Sequence, residues 1–429
     1  IQDVDKDNLQ MFISETDLHS FYVGNNGQAM PIAGITDDID NETRDAVNPD
    51  IGADEFSLAQ MAGVYTIGGV NPDFETFTEA VANAYYQGIS DDVTFKVRTG
   101  TYNEQISIGI IYGVNDTNTV VFEPDTNAVV TIIYAPTSSK NYVVQFDGAD
   151  NVTFRNLTLT ATGSSYGRVL DFKDGSHNIT IEGDTINGLD VASTSSNIAT
   201  IYSGPGTSNN NIVFANNDIN YGSHSFCFYG TNTSILETGN VIYSNTIQNF
   251  YYYGVRLYYQ DAITVYENEI YGETSNTYST QVGIEAYYCD SSSVYSKNDI
   301  KVYAYNYNVG LYILSSDASS GNEIVAKNNF ISCFNSSSNS YGVYYTSSNY
   351  VKSYNNSVNV TDGNSSYGYA AYTTNGSNIE FKNNILANTK PSGGKALYTN
   401  STSNISVCDY NDLFTKGSYL AYWGGNRTN

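Results

Sequence analysis

Apolar and polar positions alternate in short runs along most of the chain, and from about residue 150 onward the runs repeat. Each repeat holds a β-branched run, then Asn, one variable residue and an aliphatic. The Asn positions are Asn217, Asn245, Asn268, Asn298, Asn329, Asn356, Asn384 and Asn411, with Asp184 in the same slot and Asn156 as a shortened first member. Successive positions lie 23 to 33 residues apart. A second phrase precedes the later ones, a period-2 strand opened by Gly254, Gly283, Gly310, Gly342 or Gly368. Two or three short strands per repeat, joined by Ser, Asn and Gly turns with no helical pattern between them, predict an all-β chain. The fold expected is a right-handed parallel β-helix, a pectate-lyase-like solenoid of roughly twelve rungs. The recurrent Asn has a structural reading: it tolerates left-handed backbone angles at a bend and stacks on its copies as an amide ladder.

One segment breaks the period-2 pattern. Phe74, Phe77, Val81, Ala84 and Tyr85 follow helical spacing, with Pro72 and Asp73 to open a helix and Gly88 to close it, near 72–87. Val93, Phe95 and Val97 then alternate as a strand. A helix there would cap the open end of the stack and cover its strand edges.

These junction residues carry a family resemblance. The runs from Gly63 to Gly69, Pro72 to Val81 and Val93 to Ile106 resemble the start of β-helix domains in large secreted surface proteins of Bacteroidetes. Upstream, Ile35 to Asp40, Arg44 and Pro49 to Phe56 resemble the phrase with which such domains close. Because the closing phrase precedes the opening one, the resemblance implies one period of a tandem array. Residues 1–57 would be the tail of a preceding β-helix and an acidic junction. Residues 58–110 would form the capping strand, the helix and the first rung. Residues 111–429 would be further rungs without their closing segment. It further implies export by type IX secretion to the cell surface or the extracellular space, and a structural or adhesive role, as a filament, without catalysis. The implied partners are neighbouring β-helix repeats, copies of the chain itself, or surface glycans.

Charge narrows the partners. The net charge is -26, and residues 1–58 hold 13 acidic side chains against only Lys6 and Arg44. That removes the basic footprint a nucleic-acid backbone requires, and no apolar stretch is long enough to insert in a bilayer. Within the acidic junction, Asp3, Asp5 and Asp7 alternate as in a Ca²⁺ loop, but Asn8 stands where such a loop needs Gly. Asp37, Asp38, Asp40 and Asp45 would add oxygen ligands, and a solvated acidic turn is the simpler reading. Apart from Ca²⁺ there, no cofactor is implied.

An enzymatic alternative stands beside this reading, because carbohydrate-active enzymes, polysaccharide lyases and glycosidases among them, share this architecture. The Gly100 to Glu104 phrase resembles pectin methylesterases, but their catalytic Asp setting is absent, and the six Arg are not placed as in pectate lyases. His19, His177 and His224 read as polar turn residues. The nearest approach to a catalytic pair is Glu269 with Asp299, in one slot on adjacent rungs, about 5 Å apart as in a retaining glycosidase. That slot also holds Thr246, Phe330, Ser357 and Ile385, the mixture expected of an exposed position. Tyr is the other candidate, with 40 in the chain. Alternation would set Tyr258, Tyr287, Tyr312, Tyr344 and Tyr372 on the outer face of successive rungs as one aromatic strip, for glycan or partner contact or simply for pairing along the sheet. Cys227, Cys289, Cys333 and Cys408 lie on different rungs and show no zinc spacing.

Overall fold

A computed structural model describes residues 12, 16–20, 22–274, 280–334, 337–361, 367–390 and 393–428. The period-2 runs close into a right-handed parallel β-helix with three sheets of 13, 14 and 12 strands, one strand per sheet in most turns. One turn shows the plan. Tyr253–Asp261 lies in the 14-stranded sheet, Thr264–Tyr266 in the 13-stranded sheet and Glu269–Gly272 in the 12-stranded sheet. The chain then returns through Thr280–Cys289, which pairs in parallel with the first of these. The sheets cross residue 110 without interruption: Val93 to Val97 pair with Val120 to Pro124, and Ile106 to Ile108 with Val144 to Phe146. The inward residues of all three sheets form one continuous core. Near its first turns Phe95 stacks on Phe122 at 4.7 Å, and Phe122 lies 5.0 Å from Phe154.

Two corners explain the two repeated phrases. Between the 13- and 12-stranded sheets, Asn217, Asn245, Asn268, Asn298, Asn329, Asn356 and Asn384 point inward and are buried, and Asn411 ends the column half-buried. Each Nδ2 donates to the Oδ1 of the next Asn at 2.8–3.1 Å, from Asn217 through to Asn411. The same Oδ1 accepts the backbone N–H of the preceding Asn, as Asn329 Oδ1 does from Asn298 at 3.0 Å. The turns' own backbone groups are thereby satisfied at a corner where no strand can pair.

Two parts of the expectation need correcting. The ladder Asn does not take the left-handed angle; the residue before it does, as at Asn216 (φ 57°), Glu267 (φ 57°) and Lys297 (φ 56°). Asn156 is one of these left-handed residues (φ 56°) and is exposed, so it lies outside the column. Leu157 fills the column slot there, and its N–H donates to Asp184 Oδ1 at 2.7 Å.

At the corner leading into the 14-stranded sheet, Gly254, Gly283, Gly310 and Gly342 stack. A Cβ on Gly310 would stand 2.1 Å from Ile331 Cγ2 and 2.7 Å from the Gly342 carbonyl oxygen, so only glycine fits. The next member is Ala370, because Tyr341 pairs with Tyr369 and Val343 with Ala371. Gly368 falls two residues earlier and does not belong to this column.

The helix, α1, spans Phe77–Gln87, beginning later than Pro72. Thr76 caps it by accepting from Glu79 N, and Gly88 (φ 65°) closes it. Pro72 and Asp73 belong to the preceding turn, where Asp73 accepts from Thr66 N at 2.7 Å. Ahead of the solenoid, the described residues up to 60 hold one short 3₁₀ turn, Val23–Asn25, and irregular chain. Carboxylates organise it: Asp38 accepts from Asp40 N, Glu42 N and Glu55 N, and Asp45 from Val47 N and Asn48 N. Asp50, 4% exposed, accepts from Phe56 N at 2.7 Å.

Candidate functional site

The outer face of the 14-stranded sheet concentrates the chemistry. Strand alternation places Tyr312, Tyr344, Tyr372, Tyr398 and Tyr422 in one column, each directly paired with the next. Tyr258 and Tyr287 form a second column, two residues along the strands, with Tyr229 above them. The single strip expected from sequence is therefore two offset strips. The reason is register: Arg256 pairs with Glu285 and Glu285 with Tyr312, so Tyr258 and Tyr287 occupy the fifth position of their phrases and Tyr312 and Tyr344 the third. Beside the first column run Tyr341 and Tyr369, part of an apolar cluster with Tyr253, Val282 and Val309.

Where the strips change over, the face carries a shielded ion pair. Arg256 Nε lies 2.8 Å from Glu285 Oε2, and its NH2 donates to the Tyr258 hydroxyl at 2.6 Å. The guanidinium sits 4.6 Å from the Tyr253 ring centre and 4.9 Å from that of Tyr258. Glu285 is 5% exposed, and burial pushes its carboxyl above the usual range despite the arginine. Further up the same column, Arg168 lies 3.3 Å above the Tyr202 ring and 3.0 Å from Asp171 Oδ1, while Gln145 donates to Asp171 Oδ2 at 2.8 Å. Burial raises the Asp171 carboxyl also.

His224 corrects another expectation. It opens the strand His224–Tyr229 and is 1% exposed, stacked on Tyr253 at 5.2 Å, with Nδ1 2.9 Å from Ser223 Oγ. Burial lowers its pKa to about 3, with Arg256 adding to the effect, so the ring is neutral. His177 stays at a turn beside Asp150.

Sequence reasoning did not single out Arg256, Glu285, Arg168 or Asp171, and it placed His224 at a turn. For Arg256 and Glu285 a signal was present, since both take the third place of a Gly-led phrase, where Tyr stands in later turns. Nothing in the periodicity marks the burial of the others.

Glu269 and Asp299 are register neighbours on the 12-stranded sheet, away from this face. Glu269 is exposed, while Asp299 Oδ2 is held by Lys301 at 2.8 Å and the Tyr271 hydroxyl at 2.6 Å. Asp3, Asp5 and Asp7 lie outside the described residues. In the same segment His19, Asp40 and Asp54 offer metal-ligand atoms within 4.8 Å of one another. His19 lies between Asp17 and Asp40, whose hydrogen bonds raise its pKa to about 9, so a metal would first have to displace its proton. The four cysteines are free, and Cys227, Cys289 and Cys333 are buried.

No protein-family model matches the chain, and no curated protein matches it significantly. Solved structures do. A lacto-N-biosidase from Eubacterium ramulus is 8% identical with a TM-score of 0.51, over 81% of this chain and 67% of that one. The Dettilon tailspike protein is 12% identical with a TM-score of 0.48, over 77% of this chain and 64% of its own, so the chain spans less than two thirds of the tailspike. A surface adhesin of Streptococcus pneumoniae is 12% identical with a TM-score of 0.40, over 79% of this chain and 87% of that one. These likenesses show the fold alone. The expectation of a chain without chemistry is corrected to an open one, because a lacto-N-biosidase shares the fold. The fold hosts catalysis and binding alike, so it neither assigns an enzyme here nor excludes one.

Proposed function

We propose that the protein binds carbohydrate along the tyrosine columns of the 14-stranded sheet, in an extracellular or cell-envelope setting. The observation that carries this reading is the aromatic face itself: Tyr312, Tyr344, Tyr372, Tyr398 and Tyr422, with Tyr341 and Tyr369 beside them, half-buried or at the margin of burial on one side of the rod. Aromatic side chains with a polar end are what surfaces use to hold ligands that are partly apolar and partly hydroxylated. The polar composition, the acidic net charge and the presence of a biosidase, a tailspike and an adhesin among proteins of similar fold support the setting. An adhesive role then means adhesion to glycans.

The test is affinity electrophoresis and calorimetry of the full chain against a panel of soluble polysaccharides, with Tyr344→Ala/Tyr372→Ala beside wild type. Wild type is expected to bind at least one glycan, and the double variant to bind it roughly tenfold or more weakly. Binding that survives the double variant, or no binding across the panel, would overturn the proposal. Reducing-end release measured in the same samples decides whether the bound sugar is also turned over.

A further inference from the structure

The orientation of the tyrosine rings says how such a face would recognise its ligand. Tyr312 and Tyr344 lie 4.6 Å apart with planes 13° from parallel, Tyr372 and Tyr398 4.4 Å apart at 7°, and Tyr398 and Tyr422 4.9 Å apart at 15°. Parallel rings that close must overlap face on face, since rings side by side in one plane would collide. Most ring faces are therefore consumed inside the column. The one interruption is Tyr344 against Tyr372, edge to face at 4.9 Å. Side chains stand roughly perpendicular to a sheet, so the column turns ring edges and phenolic hydroxyls outward, one per turn of about 4.8 Å.

A phenol both donates and accepts a hydrogen bond. Burial lifts the phenols of Tyr312, Tyr341 and Tyr372 above their ordinary pKa, so they stay uncharged. The ionic groups of the face are largely matched in pairs: Arg256 with Glu285, Arg168 with Asp171, and Lys173 with Asp147 at 2.8 Å. Lys395 stands at the lower margin, 6.0 Å from the Tyr369 ring centre. With a chain charge of -26 around it, this face repels polyanions and leaves uncharged ligands unaffected.

We infer that the column from Tyr312 to Tyr422 acts as a comb of neutral hydroxyls that recognises an extended, uncharged polysaccharide lying parallel to the rod axis. This rests on the reading that the face binds carbohydrate and adds the ligand class, its direction and the atoms that read it.

The experiment compares Tyr372→Phe, Tyr398→Phe and their double variant with wild type, because phenylalanine keeps the ring and its stacking and removes only the hydroxyl. The probes are cellohexaose and laminarin as neutral chains, and alginate and polygalacturonate as acidic ones. Wild type is expected to bind a neutral probe and neither acidic one. Each Phe variant should lose roughly two- to tenfold in affinity, with circular dichroism and melting unchanged. If the double Phe variant binds as wild type does while Tyr344→Ala/Tyr372→Ala fails, ring faces do the recognition and the comb is overturned with the glycan reading intact. Preference for an acidic probe, abolished by Lys395→Ala, would likewise overturn the ligand class alone. Binding of neither class by wild type removes the inference together with the reading beneath it.

Discussion

At the scale of single residues, the most consequential departure from the repeat is Asp184, a carboxyl in a column of amides. Its Oδ1 accepts from Leu157 N at 2.7 Å, and its N–H donates to Asn217 Oδ1 at 2.8 Å, so it keeps the acceptor half of the Asn role. The donor half is missing: Oδ2 is buried without a partner, where Asn217 would use Nδ2 to reach the Ile181 carbonyl at 2.9 Å. Burial raises its pKa from 3.8 to about 8. The folded state therefore holds this proton between about pH 4 and pH 8 while the unfolded chain releases it, so stability falls as pH rises across that window. Asn does not titrate. Asp184→Asn should leave stability almost unchanged near pH 4 and raise it by several kcal/mol, on the order of 5, at pH 8. Urea midpoints of both proteins at the two pH values check this, and a gain independent of pH would refute it. Glu237, 1% exposed and raised to about 8 by burial, contributes the same slope to both proteins and cancels in the comparison.

At the scale of the corner and its strands, the Asn column ties each turn to the next. Removing one amide strands groups on both sides. Asn329→Ala would delete the bonds from Nδ2 to the Tyr295 carbonyl at 3.0 Å and to Asn356 Oδ1 at 2.8 Å. It would also take the acceptor from the Asn298 N–H and leave Asn298 Nδ2 with the Val265 carbonyl alone. Unpaired buried groups of this kind cost about 1–3 kcal/mol each, so a loss of roughly 3 kcal/mol is expected in chemical denaturation, against about 1 kcal/mol for Asn156→Ala, whose side chain is exposed and whose cost is that of alanine at a left-handed angle. Equal costs would mean that the column does not hold the corner. The contrast also explains what sequence could reveal. Every turn meets the same corner, so Asn and Gly recur where amides pair and where a Cβ would collide, and the β-helix is legible from them. Asn156 imitates the phrase yet sits one place early, because the left-handed position and the column position are adjacent and both accept Asn. Gly368 imitates the glycine column two places early, so Tyr372 counts as a fifth position although it pairs with the third-position Tyr344. The Arg256 and Glu285 pair was written in the phrases, but its burial depends on packing across several turns, which no single repeat encodes.

At the scale of the molecule, a solenoid is stabilised by contacts between nearest neighbours, so damage at one end should spread inward from that end. α1 sets up a direct test. It lies over the first turns, with Phe77 fully buried, edge-on to Tyr102 at 5.1 Å and stacked on Phe122 at 5.9 Å. Its N-terminal N–H groups are held by Glu104, whose carboxylate accepts from Phe77 at 3.1 Å and Thr78 at 2.9 Å. Phe77→Ala should cost about 3–5 kcal/mol, felt first where α1 covers the core. Hydrogen exchange should then show lost protection in the strands Ile89–Val97 and Val120–Pro124, while the turns around Asn329 keep theirs. Uniform loss along the rod would mean that the stack unfolds as one cooperative unit and that α1 is only one more packed element. A graded loss would make the helix a cap, and would leave the tyrosine face from Tyr312 onward intact. Glycan binding in Phe77→Ala should accordingly match wild type at temperatures where the first turns have already opened.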